Sequence, residues 1–224
     1  MAKRKIGVFS DTHIGFQGKV TSKTNEQGFN VRTQDINDAF QQSIDIFLGE
    51  EGDFVCHAGD GMDFSGYKYP AYFNFYMKQI HRLSTAKIHY VEIAGNHNFA
   101  KKAGVGNELE KIDLLPYAKT VYKGMYEPYQ IPDTNVMIHC LPSSFDNDFF
   151  RSEFEKIEKE DEMFNVLLTH SGISSVDFYS KSESSLVLHL DEIIRKKMDL
   201  TLVGDYHKFV DFGNHIYYPG PIER

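Results

Sequence analysis

Side chains of the kinds that bind metal ions follow five predicted strands. They occur in Ser10-Asp11-Thr12-His13, Ala58-Gly59-Asp60-Gly61, Ala94-Gly95-Asn96-His97, Thr169-His170-Ser171-Gly172 and Gly204-Asp205-Tyr206-His207. Functional sites of open α/β sheets form at the carboxyl ends of strands, so side chains from position 11 to position 207 can converge on one point. Each Asp-x-His pair places an oxygen and a nitrogen ligand on the same side of an extended segment. The sequence therefore predicts one metal centre built from distant segments.

The ligands of this predicted centre are carboxylates, an amide oxygen and imidazoles, without a thiolate. Such a set suits pairs of manganese, iron or zinc ions in catalysis better than a structural zinc ion, which favours cysteine. Two divalent ions that share a carboxylate can activate a water molecule and neutralise the charge of a phosphoryl group. We therefore expect the protein to hydrolyse a phosphate ester.

The elements that must position these residues are short apolar runs alternating with amphipathic segments. Strands are predicted at 5–10, 53–58, 88–94, 135–141, 164–168 and 200–203, with a closing hairpin at 208–212 and 215–218. Helices are predicted at 35–48, with Asp35 as the cap, and at 70–83, 108–115, 148–160 and 186–197. This alternation predicts an α/β layered fold with a largely buried sheet.

The composition is that of a globular domain. The chain has 224 residues, is 41% hydrophobic and carries a net charge of −8, which argues against a basic surface that binds nucleic acid by itself. No apolar stretch of membrane-spanning length and no signal peptide stand out, and we expect no membrane association. Cys56 and Cys140 lie within apolar runs, so we predict reduced core thiols and a cytoplasmic location.

The same motifs also resemble a known superfamily. Asp11-Thr12-His13, Gly59-Asp60, Gly95-Asn96-His97, His170 and the Gly204–His207 block, in this order, resemble the calcineurin-like metallophosphoesterases. The Tyr218-Pro219-Gly220-Pro221-Ile222-Glu223-Arg224 segment is similar to the Mre11/SbcD branch of DNA-repair nucleases. The resemblance covers essentially the whole chain. It implies a layered β-sandwich flanked by helices, with the site at the strand C-terminal ends, and one nuclease domain over residues 1–224 without the branch's capping domain.

The resemblance implies roles for the matching residues. One metal ion would be held by Asp11, His13, Asp60 and His207, and the other by Asp60, Asn96, His170 and Asp205. His97 would face the scissile phosphate and stabilise its charge or protonate the leaving oxygen. The expected cofactor is a pair of divalent ions, Mn²⁺ in the first place, with Mg²⁺, Fe²⁺ and Zn²⁺ as alternatives.

Two positions depart from the pattern of this branch. Asp205 stands where an imidazole ligand is expected, and its harder oxygen would favour manganese or magnesium. Asn98 stands where an acidic residue usually follows the histidine, so a neutral side chain replaces a partner that would orient His97. Asp63 fits either the family pattern or a cap of the next segment.

Contacts to substrate and partners are less strongly indicated. The loop over residues 16–34 supplies Lys19 and Arg32 as candidate contacts to a phosphate backbone. An aromatic run at 67–77 predicts either core packing or the contact of a homodimer. The resemblance further implies DNA as the substrate of a manganese-dependent exonuclease or endonuclease in DNA repair, and a Rad50/SbcC-like ATPase partner.

Two alternative functions stay open. The first is a small-molecule phosphodiesterase or phosphatase, acting on a nucleotide with the same metal site, which the acidic net charge would favour. The second is a scaffold whose metal site has decayed, for which Asp205 and Asn98 are the only indications.

Overall fold

Two β-sheets lie face to face between layers of helices. A computed structural model describes residues 4–16, 23–26, 30–63, 70–97, 107–176 and 186–223. The first sheet consists of four parallel strands in the order β1 (Ile6–Phe9), β2 (Phe54–His57), β3 (His89–Ile93) and β4 (Ala118–Val121). The second has the order β11 (Val210–Asp211), β12 (Ile216–Tyr218), β10 (Leu200–Gly204), β7 (Phe164–His170), β6 (Val136–Leu141) and β5 (Glu127–Gln130).

The apolar layer between the two sheets explains the sequence of their central strands. Cys56 and Val91 of the first sheet share one buried cluster with Ile138 and Val166 of the second. Strands β2 and β7 are covered on both faces, so their sequences are nearly continuous apolar runs without strict alternation. The predicted layered β-sandwich is confirmed, and both cysteines are buried free thiols.

Helices cover the outer face of each sheet. Helices α1 (Val31–Gly49) and α2 (Pro70–Thr85) and a 3₁₀ helix at Glu108–Leu114 pack on the first sheet. Helices α3 (Asn147–Glu155) and α4 (Leu190–Arg195) pack on the second. Within the described ranges, none of the helices has the length and apolar character that a membrane span requires.

The aromatic run of α2 is mostly part of the core. Tyr76 is fully buried and its ring stacks on Phe40 of α1 at 5.4 Å, and Tyr72 is also buried. Phe73, Phe75 and Met77 are partly buried against the same cluster. Core packing thus accounts for much of this run, and the homodimer stays a prediction. Tyr67 and Tyr69 lie outside the described residues.

Several predicted element boundaries are wrong for identifiable reasons. Helix α1 begins one turn before its predicted start at Asp35. The side chain of Asn30 caps it by accepting hydrogen bonds from the amides of Arg32 and Thr33. Helix α3 ends at Glu155 and not at 160, because the mostly charged residues that follow offer few apolar side chains to pack on the sheet. The predicted helix at 186–197 is split into β9 (Val187–Leu188), which pairs with β8 (Gly172–Ile173), and the short helix α4.

The sequence analysis missed strands β4 and β5. Both are edge strands with charged or polar side chains among few apolar ones, and Lys119 of β4 forms an ion pair with Glu127 of β5. Strand β5 also contains Pro128, which an edge position tolerates because one side of the strand forms no ladder. Without an apolar alternation, neither strand has a period that the sequence can reveal.

Candidate metal centre

The loops that follow β1 and β2 are joined through their backbones. The Asp11 amide donates to the Gly59 carbonyl at 3.0 Å, and the His13 amide donates to the Asp60 carbonyl at 2.9 Å. The hydroxyl of Thr12 donates to the Gly61 carbonyl at 2.8 Å. Because adjacent parallel strands end at the same edge of the sheet, these bonds bring three predicted ligands together on one surface.

The backbone at four predicted ligands adopts left-handed conformations. The φ angles are 51° at Asp11, 47° at His13, 55° at Asp60 and 95° at Asp205. Residues other than glycine rarely occupy this region, at a cost on the order of 1 kcal/mol each, and such strain is concentrated at functional sites. The surrounding hydrogen bonds hold these turns, which aim the carboxylates and imidazoles inward.

Strands β7 and β10 of the second sheet contribute His170 and Asp205. His170 Nδ1 donates to the Ala58 carbonyl at 2.7 Å, so its Nε2 is directed into the centre. There Nε2 lies 3.5 Å from Asp60 Oδ2 and 3.8 Å from Asp205 Oδ1. A ring held at one nitrogen by a backbone carbonyl, with the other nitrogen directed at carboxylates, is typical of metal-binding histidines.

Asp11 connects the first sheet to the end of the second. Its carboxylate accepts hydrogen bonds from the Ser10 hydroxyl and from the Asp205 amide, the latter at 3.1 Å. His207 Nε2 lies 3.6 Å from Asp11 Oδ1 and 3.3 Å from His13 Nε2.

Among the described residues, three groups of three have ligand atoms within 4.8 Å of one another: Asp11, His13 and His207; His13, Asp60 and His97; and Asp11, Asp60 and His170. The first group lies within the first predicted ligand set, and the third joins Asp60 and His170 of the second set to Asp11 of the first. The remaining group includes His97, which was predicted to face the phosphate and not to bind metal.

The electrostatics of the centre favour cations. Burial raises the pKa of Asp60, yet the charge and hydrogen bond of His170 outweigh burial and lower it to about 2. Burial lowers the pKa of His170, but the charges of Asp60, Asp11 and Asp205 raise it to about 10. Buried, ionised carboxylates require positive charge beside them, and a divalent ion supplies it when the histidine releases its proton. The residues present therefore fit a divalent metal site.

Asn96 and His97 follow β3 at the open side of the centre. The His97 amide donates to Asp60 Oδ1 at 2.9 Å, and its side chain is 43% exposed. Asp63 Oδ2 lies 3.4 Å from His97 Nδ1 and 3.7 Å from His13 Nδ1. The hydrogen bond to Asp63 raises the pKa of His97 and outweighs the opposing effect of burial.

Asp63 lies beside two predicted site histidines, His13 and His97. It was expected either to follow the family pattern or to cap the next segment, and that segment lies outside the described residues. Its carboxylate lies where it can hydrogen-bond to His97 Nδ1, which is the role that an acidic residue at the position of Asn98 would have. Asn98 itself lies outside the described residues. The pairing of Asp63 with a histidine 34 positions later leaves no local signal in the sequence.

The two candidate phosphate contacts have different outcomes. Lys19 lies outside the described residues. Arg32 forms an ion pair with Glu223, with 2.7 Å between its Nη1 and Oε1 of the glutamate. Any phosphate bound by Arg32 would compete with this carboxylate, and the contact stays a prediction.

A comparison with protein families decides the class of the domain. The model of the calcineurin-like phosphoesterase family matches residues 4–215. The chain belongs to the calcineurin-like phosphoesterase family. The predicted superfamily, its layered fold and a metal-dependent phosphoesterase are therefore confirmed, whereas the assignment of individual ligands stays a prediction.

Curated relatives of this phosphoesterase carry one name, DNA double-strand break repair protein Mre11. The protein from Sulfurisphaera tokodaii is 25% identical over 210 residues, which cover 92% of this chain and 50% of the relative. The protein from Saccharolobus solfataricus is 32% identical over 130 residues, or 55% of this chain and 32% of the relative. A 55-residue stretch is 44% identical to the protein from Thermoplasma acidophilum. The phosphoesterase thus spans about half the length of the first of these relatives.

A buried carboxyl group lies beneath the metal-binding loops of the phosphoesterase. Glu92 of β3 accepts hydrogen bonds from the hydroxyls of Tyr76, at 3.1 Å, and Tyr90, at 3.0 Å. Its other oxygen has no partner among the described residues and would be 2.3 Å from a Cβ added to Gly61. Burial raises the pKa of Glu92 to about 8, although the two tyrosine hydroxyls oppose this shift.

The raised pKa of Glu92 predicts a pH dependence of stability. Because the folded pKa exceeds the unfolded value, the contribution of Glu92 is fully present below about pH 4.5 and is lost as the pH rises toward 8. Glu92→Gln keeps an oxygen acceptor for the tyrosines and cannot ionise. Relative to the wild type, we expect it to gain roughly 1 kcal/mol of stability per pH unit across this range. Urea unfolding of the metal-free protein at pH 5, 6, 7 and 8 measures the difference.

The exposed Glu158 provides the control for this prediction. Glu158→Gln should follow the wild-type pH dependence throughout. If Glu92→Gln also runs parallel to the wild type, the carboxyl group is ionised in the folded protein and the prediction fails.

Proposed function

We propose that this phosphoesterase is a nuclease domain that hydrolyses DNA phosphodiester bonds with two divalent ions, manganese being the ion used. The convergence of Asp60 with His13 on one side and His170 on the other carries this proposal. Its DNA substrate is supported by similarity, over 92% of the chain, to a relative named for double-strand break repair.

The proposed ligands divide into two sets that share one carboxylate. Asp11, His13, Asp60 and His207 would hold one ion, and Asp60, Asn96, His170 and Asp205 would hold the other. When bound, the ions supply an activated water molecule and neutralise charge on the phosphoryl group. Asp60 fits the shared position because its carboxylate lies near the histidines of both sets.

His97 would act as the proton donor to the leaving oxygen. Asp63 faces its Nδ1, which leaves Nε2 for the substrate, and the raised pKa keeps more of the ring protonated near neutral pH. The exposed position of the ring leaves it accessible to a bound phosphate.

The charge of the chain favours a second candidate. A net charge of −8 disfavours binding of a long phosphate backbone, and Arg32, a predicted backbone contact, is paired with Glu223. A phosphodiesterase that acts on a single nucleotide would need fewer positively charged contacts. The proposed nuclease would obtain further backbone contacts from an ATPase partner or from parts beyond this chain.

The test is manganese-dependent degradation of linear DNA, beside a chromogenic phosphodiester and a His97→Ala variant. We expect the variant to retain metal binding and to lose about 10²-fold to 10⁴-fold in DNA cleavage, the usual contribution of a general acid. His81→Ala, on the exposed side of α2, is the matched control and should cleave at the wild-type rate.

The remaining outcomes distinguish the alternatives. Hydrolysis of the chromogenic substrate without DNA cleavage would favour the nucleotide phosphodiesterase. Failure to bind metal would favour the decayed scaffold. Asp205→His would then be the first substitution to test for recovery of metal binding. A homodimer, a Rad50/SbcC-like ATPase partner and a location with the DNA, in the cytoplasm or nucleoid, belong to the proposed nuclease function.

A further inference from the structure

A fully buried histidine lies beneath the metal-binding loops. His57 is the last residue of β2, and its ring lies beside that of Phe9 on β1. Its Nε2 is 3.0 Å from the hydroxyl oxygen of Thr12. Thr12 stands between the predicted ligands Asp11 and His13. His57 is not a predicted ligand, and the proposed reaction assigns it no part.

The hydrogen bonds of Thr12 decide which nitrogen of the His57 ring carries the proton. A hydroxyl group has a single proton, and Thr12 donates its proton to the Gly61 carbonyl at 2.8 Å. The Thr12 oxygen therefore accepts from His57, and Nε2 of the ring is the protonated nitrogen. Nδ1 has no hydrogen-bond partner among the described residues, and a buried N–H without an acceptor is rare. Both observations indicate the neutral ring with its proton on Nε2.

The surroundings of His57 keep the ring neutral. Burial lowers its pKa to about 3, and the charges of Asp11 and Asp60 oppose this shift without reversing it. At neutral pH the ring therefore offers one hydrogen-bond donor, the Nε2–H group, and Thr12 receives it.

The loop that contains Thr12 has a strained backbone. The φ angles of Asp11 and His13 are 51° and 47°, which residues other than glycine rarely adopt. The Ile14 amide and the Thr12 hydroxyl both donate to the Gly61 carbonyl, at 3.0 Å and 2.8 Å. Strained conformations persist only where the surrounding contacts hold them. A donor that fixes the Thr12 hydroxyl therefore helps to hold the turns on either side of it.

We propose that His57 is a positioning residue of the metal centre. Its Nε2–H group fixes the hydroxyl of Thr12 on the Gly61 carbonyl, and this series of hydrogen bonds keeps Asp11 and His13 in the geometry that a divalent ion requires. The inference rests on the proposed ligand sets. It deepens the same site by naming a residue outside them on which the affinity for metal depends.

A second buried histidine provides the matched control. His139 of β6 is also fully buried, and its ring is hydrogen-bonded to Tyr126 at 2.8 Å and to Asn165 at 2.9 Å. It lies in the second sheet, and none of these three residues is a predicted ligand. His139→Phe should therefore destabilise the fold, as His57→Phe does, without changing the loop that follows β1.

Hydrogen exchange in the metal-free protein measures the positioning directly. We expect His57→Phe to raise the exchange rates of the His13 and Ile14 amides, relative to that of Val166 in β7, by about fivefold to tenfold, as loss of one hydrogen bond predicts. His57→Gln should keep the wild-type rates, because the amide nitrogen of glutamine can take the position of Nε2. His139→Phe should leave the ratio unchanged.

Titration calorimetry with Mn²⁺ measures the consequence for the ion. His57→Phe should weaken binding about tenfold, the lower end of the effect of partners outside the ligand set, and His57→Gln should bind like the wild type. Thr12→Val should weaken binding at least as much, because it also removes the bond to Gly61. Adding His57→Phe to Thr12→Val should have no further effect, since both act through one hydroxyl group.

The tautomer of the wild-type protein provides a test that needs no substitution. The nitrogen chemical shifts of the His57 ring should show a protonated Nε2, and a protonated Nδ1 would overturn the proposal. Equal effects of His57→Phe and His139→Phe on loop exchange would overturn it as well. If His57→Phe does not fold, His57→Asn replaces it, because the amide nitrogen of asparagine takes the position of Nδ1 and does not reach Thr12.

Failure of this inference can be distinguished from failure of the proposed function. A wild-type protein that binds no Mn²⁺, with faster loop exchange in His57→Phe, would support the positioning of the loop and reject the proposed metal centre. Manganese-dependent cleavage of DNA, with unchanged loop exchange in His57→Phe, would support the nuclease and reject the role of His57.

Discussion

Asp60→Asn is expected to reduce manganese binding and phosphodiester hydrolysis by at least about a hundredfold, because even changes to the outer partners of a metal site cost 10–100-fold. Asp60 Oδ2 lies 3.5 Å from His170 Nε2 and 3.9 Å from His13 Nε2, so one carboxylate faces the histidines of both proposed ion sites. The substitution removes its charge and keeps an oxygen for the His97 amide. Titration calorimetry with Mn²⁺ measures the loss directly.

The fold of this variant should persist, because Asn and Asp have nearly the same shape. Asp133→Asn provides the control, since Asp133 lies in an exposed turn with a φ of 58°, which asparagine also tolerates. The control should bind two ions per chain with wild-type affinity. Undiminished manganese binding by Asp60→Asn would remove the shared carboxylate from the proposal and would separate the two sites.

The convergence of the site could be predicted because it follows from topology. Asp11 and Asp60 shortly follow the parallel strands β1 and β2 of the first sheet, and His170 ends the parallel strand β7 of the second. Functional sites of α/β sheets form at these carboxyl ends. The order of the motifs then resembles one superfamily, which the family match confirms. Neither step requires knowledge of a side-chain distance.

The contacts around the site could not be predicted in the same way. Asp63 meets His97, and Tyr76 meets Glu92, only after a helix or loop has brought distant segments together. A single glutamate in an apolar strand is compatible with an exposed edge or with a buried network. Its neighbours decide between the two, and they come from another element of the fold.

Glycines near the site carry a further constraint that spacing alone does not reveal. Gly204 ends β10 and is paired with His170 of β7. A Cβ added to Gly204 would lie 2.0 Å from the Ala58 carbonyl oxygen and 2.5 Å from His170 Nδ1. These are the two atoms of the hydrogen bond that orients His170. The glycine therefore permits the close approach of β10 to the end of β2.

We expect Gly204→Ala to lower the free energy of unfolding by roughly 3 kcal/mol or more, at the upper end of the cost of overpacking. The nearest obstacle is a backbone carbonyl of the opposite sheet, which cannot move aside as a flexible side chain could. The displaced His170 should also weaken manganese binding. Urea unfolding and calorimetry measure the two effects on one preparation.

Gly49→Ala separates this steric effect from a general effect of replacing glycine. Gly49 is the last residue of α1, and a Cβ added there meets no atom within 4 Å. Alanine should stabilise this position by up to about 1 kcal/mol, because it has the higher helix propensity. A lower free energy of unfolding for Gly204→Ala, together with a higher one for Gly49→Ala, would locate the constraint at the contact between the strand ends. If Gly204→Ala and Gly49→Ala have the same free energy of unfolding, the two sheets can separate at this edge. His170 would then lose its hydrogen bond to the Ala58 carbonyl, which directs the ring toward Asp60.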